Sequence, residues 1–222
     1  MSVPVIPTGL GSRVARLIYS PKGIGRGKKQ MHEKFMTPEE WKALVHATHD
    51  ATSYGEEAED LFCTTFVLGL RLEEAMDLTY DDFRDLGTAG AVHVRRLKKR
   101  DPTKSADTVY LGPEEARMLG RILERRRRYS PRGPKLFNFS GRKGQYLFAY
   151  YAGQAGVLAT KPRLSFHSIR HTATIDLWEA SKDFEFVRAR LGHANFKWLH
   201  VYIHTHPERQ KQLAANRTMI RM

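Results

Sequence analysis

The spacing of hydrophobic residues along most of this chain follows the period of an α-helix. In residues 56–68, the side chains of Leu61, Phe62 and Phe66 share one face when the chain winds at about 3.6 residues per turn. Gly69 follows directly, and glycine is typical of the position after a helix end. The pattern therefore predicts a helix over residues 56–68 that ends at Gly69.

Capping residues and the same period predict further helices. Thr37 suits the N-cap, Pro38 suits the first helical position, and Glu40 completes a capping box. The helix that starts at Thr37 marks the beginning of a folded domain. The other predicted helices cover residues 72–78, 113–128, 143–155, 168–180, 184–191 and 196–204.

Two short β-rich segments interrupt the helical pattern. They run from Ala91 to Leu97 and from Thr108 to Leu111, and a polar stretch with Pro102 separates them, which predicts a β-hairpin with a basic tip. We therefore expect a mainly α-helical domain with a small antiparallel β-sheet, an α+β fold. Residues 1–35 are rich in Gly, Pro, Lys and Arg and indicate a basic, flexible N-terminal arm. The domain covers residues 36–206, and a tail of residues 207–222 follows.

The composition points to a polyanionic partner. The 222 residues include 37 Lys and Arg against 24 Asp and Glu, a formal net charge of +13. Such an excess attracts nucleic acid, and without a long apolar run we expect no membrane partner. The single Cys63 requires no oxidising compartment, and the N-terminus lacks the apolar segment of a signal peptide. We expect a cytoplasmic, DNA-associated protein, and Met1 favours a natural start of the chain.

Histidines at helical spacing raise the question of a metal site. His167 and His171 are four residues apart, as are His200 and His204, which would suit zinc. However, Arg170 lies within the first pair, and a guanidinium beside a dication is unfavourable. Histidines that pack in the core or lie on the surface are a second alternative. The third alternative is that the histidines serve a bound anion such as a phosphate, because arginine binds two phosphate oxygens while a nearby imidazole moves a proton.

Tyr202 is the candidate hydroxyl for chemistry on a phosphate. It lies nine residues after His193, and the turn "GHAN" between them allows a helix end and the next helix to meet at one point. A tyrosine hydroxyl needs neighbouring cations or a base to act as a nucleophile near neutral pH.

Four separate motifs resemble the tyrosine recombinases, the integrase family of site-specific DNA recombinases. They are "LGLRLEEAMDLTYDDF", "FHSIRHTATIDLWEA", "RLGHAN" and "VYIH". The resemblance covers about Phe35 to His206. It implies that residues 36–206 form a catalytic domain that cuts and rejoins DNA through a transient 3′-phosphotyrosine, for integration, excision or inversion, without a cofactor or metal.

The resemblance also implies the roles of individual residues. Tyr202 is the nucleophile, Arg71 and Arg170 neutralise the nonbridging oxygens, and His193 donates a further hydrogen bond. His167 acts as the general base and Lys98 protonates the leaving 5′ oxygen. The supporting residues are Glu74 and His171.

Basic residues outside this set are predicted to contact the DNA backbone. They are Lys99, Arg100 and Lys104 at the hairpin tip and Arg125, Arg126, Arg127 and Arg128 at a helix end. Lys99 and Lys104 also remain alternatives to Lys98 as the catalytic lysine.

Most members of the family carry a separate helical DNA-binding domain ahead of the catalytic domain, whereas this chain has a basic arm there. The expected partners are double-stranded DNA, further copies of the chain in a dimer or tetramer on DNA, and accessory DNA-bending proteins. The tail is expected to pack on a neighbouring protomer. Two other functions remain open: strand cleavage and religation like that of a type IB topoisomerase, and a catalytically weak DNA-binding accessory protein.

Overall fold

The computed structural model describes residues 34–50, 52–96, 106–129 and 133–192. Helices and one two-stranded antiparallel sheet make up this part of the chain. The prediction of a mainly helical α+β fold is therefore confirmed. The elements run in the order α1 (Pro38–Ala47), α2 (Ser53–Leu68), α3 (Leu72–Asp77), a 3₁₀ turn (Tyr80–Phe83), α4 (Leu86–Ala89), β1 (Ala91–Arg95), β2 (Ala106–Tyr110), α5 (Pro113–Tyr129), α6 (Gly141–Gln154), α7 (Val157–Thr160), α8 (His167–Ser181) and α9 (Phe184–Leu191).

The helix ends follow the capping residues of the sequence. Thr37 caps α1, and the side chain of Glu40 accepts the backbone N–H of Thr37 at 2.7 Å, which completes the predicted capping box. The helix α2 begins at Ser53, three residues before the predicted start, because the Thr52 hydroxyl accepts the N–H of Gly55 at 3.1 Å. The predicted helix over residues 196–204 lies outside the described residues.

The core is built around α2, which packs against α1, α3, α5, α6 and α8. Phe62 of α2 meets Phe148 of α6 and Phe166 at ring-centroid distances of 6.1 Å in edge-to-face geometry. A second apolar cluster comprises Phe35, Ile175, Val187 and Leu191. It attaches α9 to α8 and thereby fixes the last described element.

The sheet pairs β1 with β2, so that Val92 lies opposite Val109. Val92 and Val94 are buried, and the alternation continues to Arg96, which is also buried. β2 begins at Ala106, two residues before the predicted start, and the predicted basic tip lies outside the described residues. In the described part of the chain, no helix combines the length and the apolar character needed to cross a membrane.

The end of α2 depends on Gly69. Its φ of 60° is left-handed, and a Cβ atom placed there would lie 2.0 Å from Cδ2 of Leu191. An L-residue at this position would require both backbone strain and displacement of the buried Leu191 side chain. Gly120 in α5 provides a contrast, because a Cβ atom at that position would meet no heavy atom within 4 Å.

We predict opposite effects of alanine at these two glycines. Gly69→Ala should lower the free energy of unfolding by at least about 2 kcal/mol, through left-handed strain and overpacking. Gly120→Ala should raise it by about 0.5 to 1 kcal/mol, because alanine loses less backbone entropy than glycine when a helix forms. Urea denaturation of both variants measures the changes. Equal effects of the two substitutions would contradict the assigned role of Gly69.

Candidate active site

The turn between α2 and α3 places Arg71 at a helix start. Gly69 reverses the chain at the end of α2, Leu70 is buried, and Arg71 forms the N-cap of α3. Glu74, the third residue of α3, turns back and accepts the backbone N–H of Arg71 at 2.9 Å. The sequence "GLRLEE" thus fixes one arginine and one carboxylate by local geometry alone.

Glu74 is the centre of a cluster that tertiary structure completes. Its side chain has no solvent exposure, and three guanidinium groups bind it. Nη1 of Arg71 lies 2.5 Å from Oε1, whereas Nη1 of Arg96 and Nη1 of Arg170 each lie 3.3 Å from Oε2. The structure therefore brings together Arg71, Glu74 and Arg170, which the sequence analysis assigned to one site, and adds Arg96.

Glu74 remains ionised despite its burial. Burial alone would raise the pKa of Glu74, but the backbone N–H of Arg71 and the charges of Arg170, Arg96 and Arg71 outweigh that effect and lower its pKa. A charged carboxylate can orient three cations at once, and each additional guanidinium compensates for part of the lost hydration.

Arg170 is held inside the protein, with 1% of its surface exposed. Its Nη1 also donates to the carbonyl of Gly69, and its Nη2 donates to the carbonyl of Leu191 at 2.8 Å. Burial, together with the positive charges of Arg71 and Arg96, lowers the pKa of Arg170 to about 9, against the opposing charge of Glu74. Arg170 therefore stays protonated at neutral pH and joins α8 to the ends of α2 and α9.

Arg71 differs from Arg170 in its access to solvent. The side chain of Arg71 is 16% exposed, while those of Arg96 and Arg170 are nearly inaccessible. A ligand that approaches this cluster therefore reaches Arg71 first. Three guanidinium groups around one carboxylate leave an excess of positive charge, which suits an anion with several oxygens.

The histidines of α8 have different environments. His167 is exposed at the helix start, and His171, one turn later, is mostly buried. Their rings meet edge to face, with centroids 4.7 Å apart. Burial, and to a smaller extent the electrostatic effects of His167, Lys34 and Arg170, lower the pKa of His171 to about 3, so His171 is neutral at physiological pH.

Several predicted site residues lie outside the described part of the chain. They are Lys98, Lys99, Arg100, Lys104, His193 and Tyr202. The described chain stops at Arg96 before the first four and at Gly192 before the last two. Within the described ranges, no group of three or more His, Cys, Asp or Glu side chains is arranged to hold a metal ion.

The structure corrects the predicted basic surface at the end of α5 for Arg126. Arg126 is 2% exposed and pairs with Glu57 and Asp60 at 3.8 and 3.9 Å, so it is not available at the surface. Arg125 is partly exposed, and its Nε donates to Asp60 at 2.9 Å. Arg127 and Arg128 are exposed.

Arg96 is the site residue that the sequence analysis missed. The strand pattern did indicate that Arg96 faces inward, because side chains alternate along a strand and Arg96 continues the series of Val92 and Val94. The strand pattern could not indicate which carboxylate binds Arg96, since Glu74 is 22 residues away in the sequence.

Known proteins are similar to this chain in sequence and in fold. The chain is 25% identical to "Tyrosine recombinase XerC" of Halalkalibacterium halodurans over 204 residues, which are 89% of this chain and 64% of the relative. The crystal structure of XerA recombinase is similar with a TM-score of 0.65 and 20% identity, over 83% of this chain and 65% of that one. A lambda integrase tetramer bound to a Holliday junction gives a TM-score of 0.56 and 16% identity, over 73% of this chain and 47% of that one.

The chain thus spans just under two thirds of the length of XerC and of XerA. The sequence model of the phage integrase family matches residues 34–209, which include the described domain and the motifs that follow it. This match extends over most of the chain, so the protein belongs to the phage integrase family, with the catalytic-domain fold of the tyrosine recombinases.

Proposed function

We propose that this protein is a site-specific DNA recombinase that cuts and rejoins DNA through a transient 3′-phosphotyrosine at Tyr202. The observation that carries the proposal is the shared carboxylate of Glu74, which joins Arg71 to Arg170 across 99 residues of sequence. Family membership supports the same chemistry, because XerC and XerA are named as recombinases.

In the proposed reaction, the Tyr202 oxygen attacks the scissile phosphorus and the bond from phosphorus to the 5′ oxygen breaks. His167 takes the tyrosine proton, and Lys98 gives a proton to the leaving 5′ oxygen. A phosphodiester is exchanged for a phosphotyrosyl ester, so the bond energy is kept for rejoining. A 5′ hydroxyl of a partner strand then attacks the phosphotyrosine, and the same groups act in reverse.

The arginine cluster would stabilise the charge that develops on the phosphate. Glu74 and the carbonyls of Gly69 and Leu191 hold Arg170 before any ligand binds. Donors that are already oriented need no reorganisation when charge develops, which is the main source of electrostatic catalysis. Arg71, at the solvent edge of the cluster, would meet a nonbridging oxygen first.

Basic groups outside this cluster would hold the DNA itself. We assign backbone contacts to Arg127 and Arg128 and to the hairpin residues Lys99, Arg100 and Lys104. The basic arm of residues 1–35 would add contacts. Lambda integrase forms a tetramer on a Holliday junction, and we infer that this chain assembles on DNA as a dimer or tetramer, with residues 207–222 packed on a neighbouring protomer. A cytoplasmic, DNA-associated location follows from this role.

Covalent trapping tests the nucleophile. The wild-type protein, mixed with labelled duplexes from its own genetic neighbourhood that include nicked suicide substrates, should yield a protein–DNA band that survives SDS. Tyr202→Phe should abolish the band because the phenolic oxygen is lost. Tyr150→Phe, which removes a hydroxyl on the exposed face of α6, should leave the band unchanged.

The outcomes of the trapping experiment separate the candidate functions. A band that persists in Tyr202→Phe contradicts the nucleophile assignment. Tight DNA binding without any band, on DNA that contains the site, favours the accessory DNA-binding protein. The protein is also given supercoiled DNA together with a duplex that has a free 5′ hydroxyl. If it relaxes the supercoils but joins no strand to the added duplex, the topoisomerase-like reaction is favoured.

Alanine at the two arginines should separate catalysis from stability. Arg71→Ala and Arg170→Ala should each slow cleavage of a suicide substrate by about 10²- to 10³-fold, the loss expected for one donor to a developing oxyanion. Arg170→Ala should also lower the free energy of unfolding by about 3 to 5 kcal/mol, because a buried partner of Glu74 is lost. Arg71→Ala should destabilise the protein less, since Arg71 is partly exposed.

The control for these variants is Arg84→Ala, which removes an exposed arginine that pairs with Asp81. It should change neither the cleavage rate nor the urea midpoint. If either Arg71→Ala or Arg170→Ala cleaves the suicide substrate at the wild-type rate, the proposed electrostatic role of that arginine is contradicted.

The burial of His171 predicts a pH dependence of stability. The unfolded chain takes up a proton on His171 below about pH 6.5, whereas the folded protein does not until about pH 3. Unfolding therefore takes up a proton in this window, and the free energy of unfolding falls as the pH falls. Between pH 6.5 and pH 5, His171 should account for a loss of about 2 kcal/mol.

Urea denaturation at pH 7.5 and pH 5 measures this effect in the wild type and in His171→Gln. Glutamine does not titrate, so the variant should lose less stability over the interval by about that amount. An equal loss in both proteins would show that His171 is protonated in the folded state.

A further inference from the structure

Arg96 is a buried arginine at the junction of three segments of the site. It follows β1 directly, and 1% of its surface is exposed. Its Nη1 lies 3.3 Å from Oε2 of Glu74, its Nε lies 3.4 Å from Oδ2 of Asp107 on β2, and its Nη2 donates to the carbonyl of Arg190 at 2.8 Å. One side chain thus links the base of the hairpin, the start of α3 and the end of α9.

The contact with α9 is close and leaves no room for a different residue at the helix end. Gly192 has a φ of 60°, and a Cβ atom there would lie 2.8 Å from both Nε of Arg96 and Oδ2 of Asp107. The Arg96–Asp107 pair therefore packs directly against the backbone of Gly192. His193, the predicted hydrogen-bond donor, is the next residue in the sequence.

Arg96 and Arg170 cap the end of α9 together. The last carbonyls of a helix lack partners within the helix. Here the carbonyl of Arg190 accepts from Arg96, and the carbonyl of Leu191 accepts from Arg170. Both arginines also bind Oε2 of Glu74, so the end of α9 is connected to the start of α3 through two parallel guanidinium bridges.

We propose that Arg96 is a positioning residue for the recombination reaction, which holds the base of the β1–β2 hairpin and the end of α9 against the Arg71–Arg170 pair. This inference rests on the proposed function. Lys98 is two residues beyond Arg96, and Tyr202 is nine residues beyond His193. The guanidinium acts through these segments, because its described hydrogen bonds all go to protein oxygens.

A role limited to fold stability would give a different result, and a matched arginine makes the comparison possible. Arg126 of α5 is also buried, and its guanidinium pairs with Glu57 and Asp60 of α2 at 3.8 and 3.9 Å. These ion pairs join α5 to α2 and involve neither Glu74 nor the end of α9. Arg126→Gln therefore measures what the loss of a buried arginine does by itself.

The test compares Arg96→Gln, Arg96→Lys and Arg126→Gln with the wild type. At saturating suicide substrate, Arg96→Gln should slow cleavage by about 10- to 100-fold, as expected when reacting groups are displaced by roughly 1 Å. Its DNA dissociation constant should stay within about threefold of wild type. Arg96→Lys keeps the charge and should recover part of the rate, whereas Arg126→Gln should lower stability with a cleavage rate near wild type.

Hydrogen exchange in the absence of DNA provides a readout that does not depend on recombination. Arg96→Gln should speed amide exchange in peptides that cover residues 91–110 and 184–200, with no change in residues 141–154 of α6. If the wild type forms no covalent adduct while these exchange rates change, the proposed function fails and the structural connection stands. A wild-type cleavage rate in Arg96→Gln, unchanged exchange, or an equal loss of rate in Arg126→Gln would overturn the positioning role.

Discussion

A carboxylate that is removed from water needs compensation from the groups around it, and in this protein Glu74 obtains that compensation from three guanidinium groups. Because the arginines come from the start of α3, the residue after β1 and the first turn of α8, the requirement at one carboxylate determines how three segments meet. The hydrogen bonds of Arg96 and Arg170 to the end of α9 extend the same constraint to a fourth segment. Each element can be displaced only if a buried charge loses a partner, so the cluster fixes the geometry of the site.

Much of the fold was predictable because local signals and tertiary structure agree. Thr37, Pro38 and Glu40 form the predicted capping box, and Gly69 ends α2 in the left-handed conformation that glycine tolerates best. The start of α2 was predicted three residues late, since the Thr52 cap carries no hydrophobic signal. The short helices α4 and α7 were not predicted, because four residues contain too little of the helical period to be recognised.

The candidate site was predictable to a different degree at each residue. The resemblance to a family placed Arg71, Glu74 and Arg170 in one site, and the structure brings these three together. It could not indicate Arg96, whose partners depend on a contact across 94 residues. In the run from Arg125 to Arg128, the sequence indicated the charges but not which of them the fold buries. A count of charges treats the four arginines alike, yet α2 binds the first two through acidic residues and buries Arg126 among them, because the facing helix decides which arginines are paired.

The charge balance of the cluster connects its stability to the proposed reaction. Among the described side chains, Arg71, Arg96 and Arg170 face Glu74 and Asp107, which leaves one positive charge. A phosphodiester carries one negative charge, so in the proposed complex the bound substrate would neutralise a cluster that is imbalanced without it. The transition state adds further negative charge to the nonbridging oxygens, so guanidinium groups that are already oriented would bind it more tightly than the ground state. In the proposed reaction, Lys98 beyond Arg96 would add the proton for the 5′ oxygen, and His193 beyond Gly192 would add one more hydrogen bond. The positive charge that Glu74 and Asp107 leave uncompensated would therefore contribute most when the negative charge on the phosphate is largest.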